Sequence, residues 1–150
     1  MASIWKAAED IKARVDNLIA HRHPELALVS DDICVVFKEK AGKSGGQIVY
    51  GRALKCSDYM NVIGGTSYSF IIELGADTWV QDLNSDQQEA LLDSILCSMV
   101  VTEDENSGDI RMSIVKPEIQ AFRRNVEEYG MWFPKDDEEE EKEEGSEKEE

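Results

Sequence analysis

Ile4, Ala8, Ile11, Val15, Leu18 and Ile19 recur at helical intervals, and this spacing predicts an amphipathic helix over residues 4–20. Ser3 stands where a capping hydroxyl belongs. The run His21-Arg22-His23-Pro24 ends the helix, because proline disfavours helical backbone at the residue before it. The pattern then changes period. Residues 33–37 are short and β-branched, Ser44-Gly45-Gly46 marks a turn, and residues 47–56 roughly alternate. Residues 61–66 contain Gly64-Gly65 and read as a turn or loop. Residues 67–74, aromatic and β-branched between glycines, carry the strongest strand signal. Three strands in succession predict an antiparallel meander.

Helical spacing returns with Leu91, Leu92, Ile95, Leu96, Met99 and Val100, predicting a helix from Ser85 to about Val101. Ser85 and Gln88 fit a capping box at its start. Residues 102–109 are polar, with a turn at Asn106-Ser107-Gly108. A last helix opens at Lys116-Pro117, where proline at the first position costs no hydrogen bond. Ile119, Phe122, Val126 and Tyr129 form its stripe, and Gly130 is a suitable stop. The expected architecture is α+β: an N-terminal helix, a three-stranded mainly antiparallel sheet and two C-terminal helices, in one domain over residues 1–135.

Charge adds a second region. The 150-residue chain carries a formal net charge of −16, and residues 136–150 hold eleven acids and two lysines with no apolar residue. Such a stretch cannot offset its ordering entropy, so 136–150 is expected to be a disordered acidic tail. A balance this acidic argues against nucleic-acid binding through a general basic surface, which needs Lys and Arg to release counterions. No apolar run approaches the roughly 18 residues of a membrane span. The N-terminus lacks the pattern of a secretory signal. Cys34, Cys56 and Cys97 are odd in number and widely spaced, pointing to a reducing cytoplasm rather than a disulfide framework.

Little in the residues alone points to catalysis. His21 and His23 are the two histidines, two residues apart before a proline, and they read as a solvated helix end. The cysteines read as small buried hydrophobes rather than nucleophiles. The glycines of 42–46 and 64–65 read as turns, not as a phosphate loop. Glu103, Asp104 and Glu105 lack the spacing of a calcium loop. Lys116, Arg111, Arg123 and Arg124 make a small basic cluster, expected to pair with Glu127 and Glu128 rather than to bind DNA.

Several segments together resemble a family. They are His23-Pro24-Glu25-Leu26, then Glu73 to Trp79, then Ser85 to Asp93, and finally Ile119, Phe122, Arg123-Arg124 and Tyr129 to Trp132. Their order and spacing over residues 20–132 resemble the phage metallopeptidases, compact zincins. The resemblance implies a zincin-like fold and a metal helix of the form Leu-Val-Asp-His-Glu-Leu-Cys-His. Here that stretch is Leu91-Leu92-Asp93-Ser94-Ile95-Leu96-Cys97-Ser98. Both histidine positions are serine (Ser94, Ser98) and the glutamate position is Ile95. Where relatives tend to carry a His-Asp-Val-Glu-Glu-Phe-like stretch for the third ligand, residues 117–122 read Pro-Glu-Ile-Gln-Ala-Phe. Serine hydroxyls are poor zinc ligands at neutral pH, and isoleucine cannot take a proton from bound water.

The expectation is therefore a pseudoenzyme with no catalytic residue, no metal and no cofactor. It would be a phage or prophage protein that binds a host or phage protein in the host cytoplasm. In one version it is an acidic nucleic-acid mimic that occupies a host or defence protein; the simpler reading of the acidity is solubility. A second reading is a zinc metallopeptidase with unconventional ligands drawn from Glu118, His21, His23, Glu103 and Cys97. A third is a subunit pairing with an active relative through an apolar patch, to which Trp5, Trp132 and Phe133 could contribute.

Overall fold

Residues 4–6 are extended, not helical. A computed structural model describes residues 3–116, 122–132 and 134, and in it Ile4–Lys6 forms a first strand, β1. The helix, α1, spans Glu9–Arg22 and buries Ile11, Val15, Leu18 and Ile19. Its apolar stripe is the predicted one from Ile11 onward. Ser3 does not cap it; extended Ala8 holds the N-cap position without a side-chain bond. The first residues are drawn off because β1 pairs antiparallel with β2, Ile33–Lys38, with Trp5 opposite Phe37. A 3₁₀ segment, Pro24–Asp32, joins α1 to β2 and buries Leu26 and Val29.

The stretch expected as one strand over 47–56 divides. β3, Gly42–Ser44, and β4, Gln47–Val49, form a hairpin with Ser44 opposite Gln47. Gly45 and Gly46 have φ of 58° and 82°, as a two-residue turn between twisted strands requires. β5, Gly51–Lys55, belongs to the main sheet. Residues 61–66, expected as a loop, mostly belong to a helix, α2, Asp58–Gly64. Ser57 Oγ accepts from Met60 N at 3.1 Å to open it, and Gly65 closes it in the left-handed conformation. Tyr59, Val62 and Ile63 on this helix are 83%, 81% and 85% exposed, so its apolar residues serve no core.

β6, Phe70–Gly75, runs between β2 and β5. The sheet is thus four-stranded and mixed, in the order β1-β2-β6-β5, rather than a three-stranded meander. β6 is parallel to β2 and antiparallel to β5. Phe70, Ile72 and Leu74 are fully buried, and a strand that apolar gains most from a central place with both edges paired. Short α3, Ala76–Gln81, leads to α4, Ser85–Cys97.

The capping box of α4 lies one residue earlier than predicted. Asn84 Oδ1 accepts from Gln87 N at 2.8 Å, and Gln87 Oε1 accepts from Asn84 N at 3.0 Å. The helix also ends early. Met99–Glu103 is a strand, β7, paired with β8, Ile110–Ile114, around the Asn106–Gly108 turn. The last helix among the described residues is α5, Arg123–Tyr129, which opens after extended Phe122 and closes at Gly130, so Phe122 is its N-cap and not part of the expected helical stripe; residues 117–121 and the acidic stretch 136–150 lie outside the described residues. The result is an α+β domain. Its core joins Val15, Leu18 and Leu26 to Ile33, Phe70, Ile72 and Leu74 of the sheet and to Leu92 and Leu96 of α4. Trp132 is buried in this core, whereas Trp5 is 45% exposed beside Phe37; Phe133 is outside the described residues.

Candidate functional site

Asp93 lies in the middle of the apolar run of α4, and its side chain is fully buried. A buried carboxylate must be paired and hydrogen-bonded. Two regions supply the partners, the end of α1 and α5. From the end of α1, Arg22 Nε donates to Asp93 Oδ1 at 2.8 Å. His23 Nε2, at 2.6 Å from the same oxygen, donates as well, since an ionised carboxylate only accepts. From α5, Asn125 Nδ2 donates to Asp93 Oδ2 at 3.0 Å and to the Ala90 carbonyl at 2.8 Å. Trp132 Nε1 then donates to Asn125 Oδ1 at 2.6 Å, extending the network to the chain beyond α5.

A second ring of charge surrounds this one. Arg22 reaches Glu128 at 3.2 Å and lies over the Tyr129 ring, and Arg124 pairs with Glu25 at 3.0 Å. Within the basic cluster Arg124 takes Glu25 rather than Glu127 or Glu128, and Glu128 takes Arg22. Arg111, on β8, and Lys116, past its end, are exposed. His23 Nδ1 is buried with no hydrogen bond among the described residues; Glu25 Oε1 stands 3.6 Å away, within ion-pair but beyond hydrogen-bond range.

The electrostatics follow. Burial alone would raise the Asp93 carboxyl, but the hydrogen bonds from His23, Arg22 and Asn125 outweigh it and hold the pKa at about 2. The same negative charge works against the Cys97 thiol one turn later, which burial first and Asp93 second push up to about 12. The Tyr129 hydroxyl is likewise raised to about 12, by burial and then by Asp93. Arg22 is held above its ordinary value by its bond to Asp93.

The positions that the resemblance assigns to metal and base stand beside this network on α4. Ser94 is half-buried. Ile95 is buried, and its Cδ1 lies 2.9 Å from where a Cβ on Gly51 of β5 would be. The side chain thus fills the space between α4 and the edge strand, against Leu74. Ser98 is buried, and its Oγ donates to the Ile95 carbonyl at 2.5 Å, a bond within its own helix turn.

A model of the family described as putative phage metallopeptidase matches residues 3–143. The chain belongs to that family. No curated protein and no solved structure matches it. The match extends past the described domain into the acidic stretch.

A metallopeptidase family implies zinc, and among the described residues the donors do not fit one. Ser94 and Ser98 offer hydroxyls, the second already spent on a helix carbonyl, with a packed isoleucine between them. Among the described residues a single group of potential ligands converges: His23, Asp93 and Cys97, with ligand atoms within 4.8 Å of one another. Two of the proposed unconventional ligands thus do meet. Yet zinc needs free lone pairs and deprotonated ligands. Both Asp93 oxygens are taken by donors and the Arg22 cation sits on them, so a metal would have to displace these bonds to reach the carboxylate. The remaining candidates stay apart. His21 is exposed, its Nδ1 2.8 Å from the Asn17 carbonyl; Glu103 is exposed at the end of β7; Glu118 lies outside the described residues.

Asp93 is the residue that matters most here, and Arg22, His23 and Asn125 are its partners; His23 is thus a buried member of the network and not the solvated helix end expected, because the carboxylate gives its ring N–H a partner inside the fold. A charged residue inside an apolar run on the buried face of a helix is the signal that marks it in the sequence. Nothing local to Asn125 distinguishes it from a surface residue. Cys34 and Cys56 are buried as expected, while Cys97 is only half-buried.

Proposed function

We propose that this chain is a non-hydrolytic member of its family, a protein-binding module that keeps the metallopeptidase scaffold without its chemistry. The observation that carries this reading is Ile95. An apolar side chain occupies the position assigned to the general base and is packed between α4 and β5, where an activated water would need room and a proton acceptor. The saturated Asp93 network adds to it, because it locks α1, α4 and α5 together instead of leaving a coordination position open.

In this reading the protein works in the host-cell cytoplasm on a host or phage protein, without direct nucleic-acid or membrane binding. Its acidity suits a partner with a basic cleft, including a host or defence protein that normally holds nucleic acid. The exposed apolar residues of α2 are a second feature that contact with a protein would cover.

The test is metal content and hydrolysis together. Purified, tag-free protein dialysed without chelator is expected to hold less than about a tenth of an equivalent of zinc, where an intact site holds about one. It is expected to leave a peptide library uncut. Near-stoichiometric zinc with chelator-sensitive cleavage would overturn the reading and favour a metallopeptidase with unconventional ligands. Capture of a host protein by the full chain but not by a chain lacking residues 136–150 would identify the acidic stretch as the contact.

A further inference from the structure

Between Lys38 and Lys55 the chain carries five cations against a single acid, Glu39, although the whole chain has a net charge of −16. Three of those cations, Lys38, Lys43 and Arg52, converge on one cleft of about 430 Å³, within the size range of small-ligand sites. It lies where the β3–β4 hairpin passes the ends of β2 and β6. Side chains alternate across a sheet, so Lys38, Glu73 and Arg52 share the face opposite Ile72 and Leu74, which pack into the core. The cleft is thus on the other side of the sheet from α4 and independent of the Asp93 network.

Among the described residues Glu73 is the one acid lining the cleft, and it is paired with Arg52 at 3.1 Å. Neither Lys38 nor Lys43 has a carboxylate partner among the described residues. The wall is closely fitted. A Cβ on Gly75 would meet the Ala41 Cβ at 2.5 Å, and Ala41 N is fixed by donation to Asp77 Oδ1 at 2.8 Å. The Lys38 ammonium lies beside Gly42, 3.8 Å from where its Cβ would be, and Ser44 adds a hydroxyl to the lining.

We propose that this cleft binds the oligophosphate group of a small ligand. Two unpaired ammonium groups act as mobile point charges around an open concavity, an arrangement that suits phosphate oxygens. The acidic remainder of the chain does not cancel the attraction at physiological salt, where fields are screened within about 8 Å. Among the described residues the lining is cationic and polar with small apolar groups, which suits the anion itself rather than a base or ring.

The probe is inorganic tripolyphosphate, titrated calorimetrically into the full chain at about 0.1 M salt, where screening leaves only short-range contacts. Sub-millimolar binding is expected. The Lys38→Gln, Lys43→Gln double variant should lose about tenfold or more with its melting temperature unchanged, since both side chains are outside the core. Lys55→Gln, on the same strand set but outside the lining, should bind as the natural chain does. Undiminished binding by the double variant, an equal loss in Lys55→Gln, or no binding by the full chain would each overturn the proposal. Binding seen only after removal of residues 136–150 would also overturn it, by assigning the cleft to the chain's own acidic stretch.

Discussion

Replacing Asp93 with asparagine tests the network at its centre. The variant keeps the shape but loses the charge that Arg22 and His23 address, and it cannot accept from every donor now satisfied. Breaking a buried ion pair from one side typically costs about 3–5 kcal/mol. The pH dependence gives a second, independent estimate. The carboxyl falls from 3.8 to about 2 on folding, which by linkage is about 2 kcal/mol of stability at neutral pH. A depressed folded pKa means that this stability is present above the unfolded value and is lost as pH falls through the folded one. Roughly half of it should be gone by pH 3, or about 1 kcal/mol. The assay is urea unfolding of both proteins at pH 7 and pH 3. At pH 7 the midpoint of the variant should fall by about 1.5 M, taking a slope near 2 kcal/mol per molar urea. At pH 3 the gap between the two proteins should narrow by about 1 kcal/mol, and other carboxylates cancel in that difference. A variant within about 0.5 kcal/mol of the natural chain at pH 7, the scatter of surface substitutions, would refute the network as a stabilising centre. A gap that does not narrow on acidification would refute the assigned carboxylate.

Three further outcomes follow from the geometry. Trp132→Phe removes the donor to Asn125 Oδ1 while keeping most of the apolar area, and should cost about 1–3 kcal/mol in urea unfolding because a buried acceptor is left unpaired. Gly75→Ala drives a methyl into Ala41; it should cost about 1–3 kcal/mol in the same assay, and no loss would mean the hairpin strap moves freely. The Cys97 thiol, held near 12, should react with a thiol reagent at pH 8 at least about a hundredfold more slowly in the native chain than in the urea-unfolded one, since the thiolate is the reactive form.

The sequence carried local features better than long-range pairing. The stripe of α1 and the apolar face of α4 were legible because helical periodicity is local, and the capping box was missed by only one residue. β1 was hidden because Ile4 falls in phase with the helix that follows. β7 was hidden in the same way, Met99 and Val100 continuing the rhythm of α4. β8 was more accessible: Ile110, Met112 and Ile114 alternate as a strand should. So was α2, with Ser57 before it and Gly65 after it. The parallel pairing of β2 with β6 has no local signature, since it depends on which strand gains most from a central position. At the candidate site Ser94, Ile95 and Ser98 were singled out only through the family resemblance, and the structure places them on α4 beside Asp93. The partners of Asp93 were not legible, because Arg22, His23 and Asn125 are 71, 70 and 32 residues away in sequence.

In the non-hydrolytic reading proposed above, the contact between Ile95 and Gly51 would also make the path to a hydrolase steep. A glutamate at position 95 would press its carboxylate against the strand backbone at Gly51 and the Leu74 side chain. Histidines at 94 and 98 would gain nothing from that step until a metal bound all of them together. Each single reversion therefore lowers stability before any restores chemistry, and a chain with about 5–15 kcal/mol in hand tolerates few such steps. Once the isoleucine has settled against the glycine, the fold itself works as a ratchet.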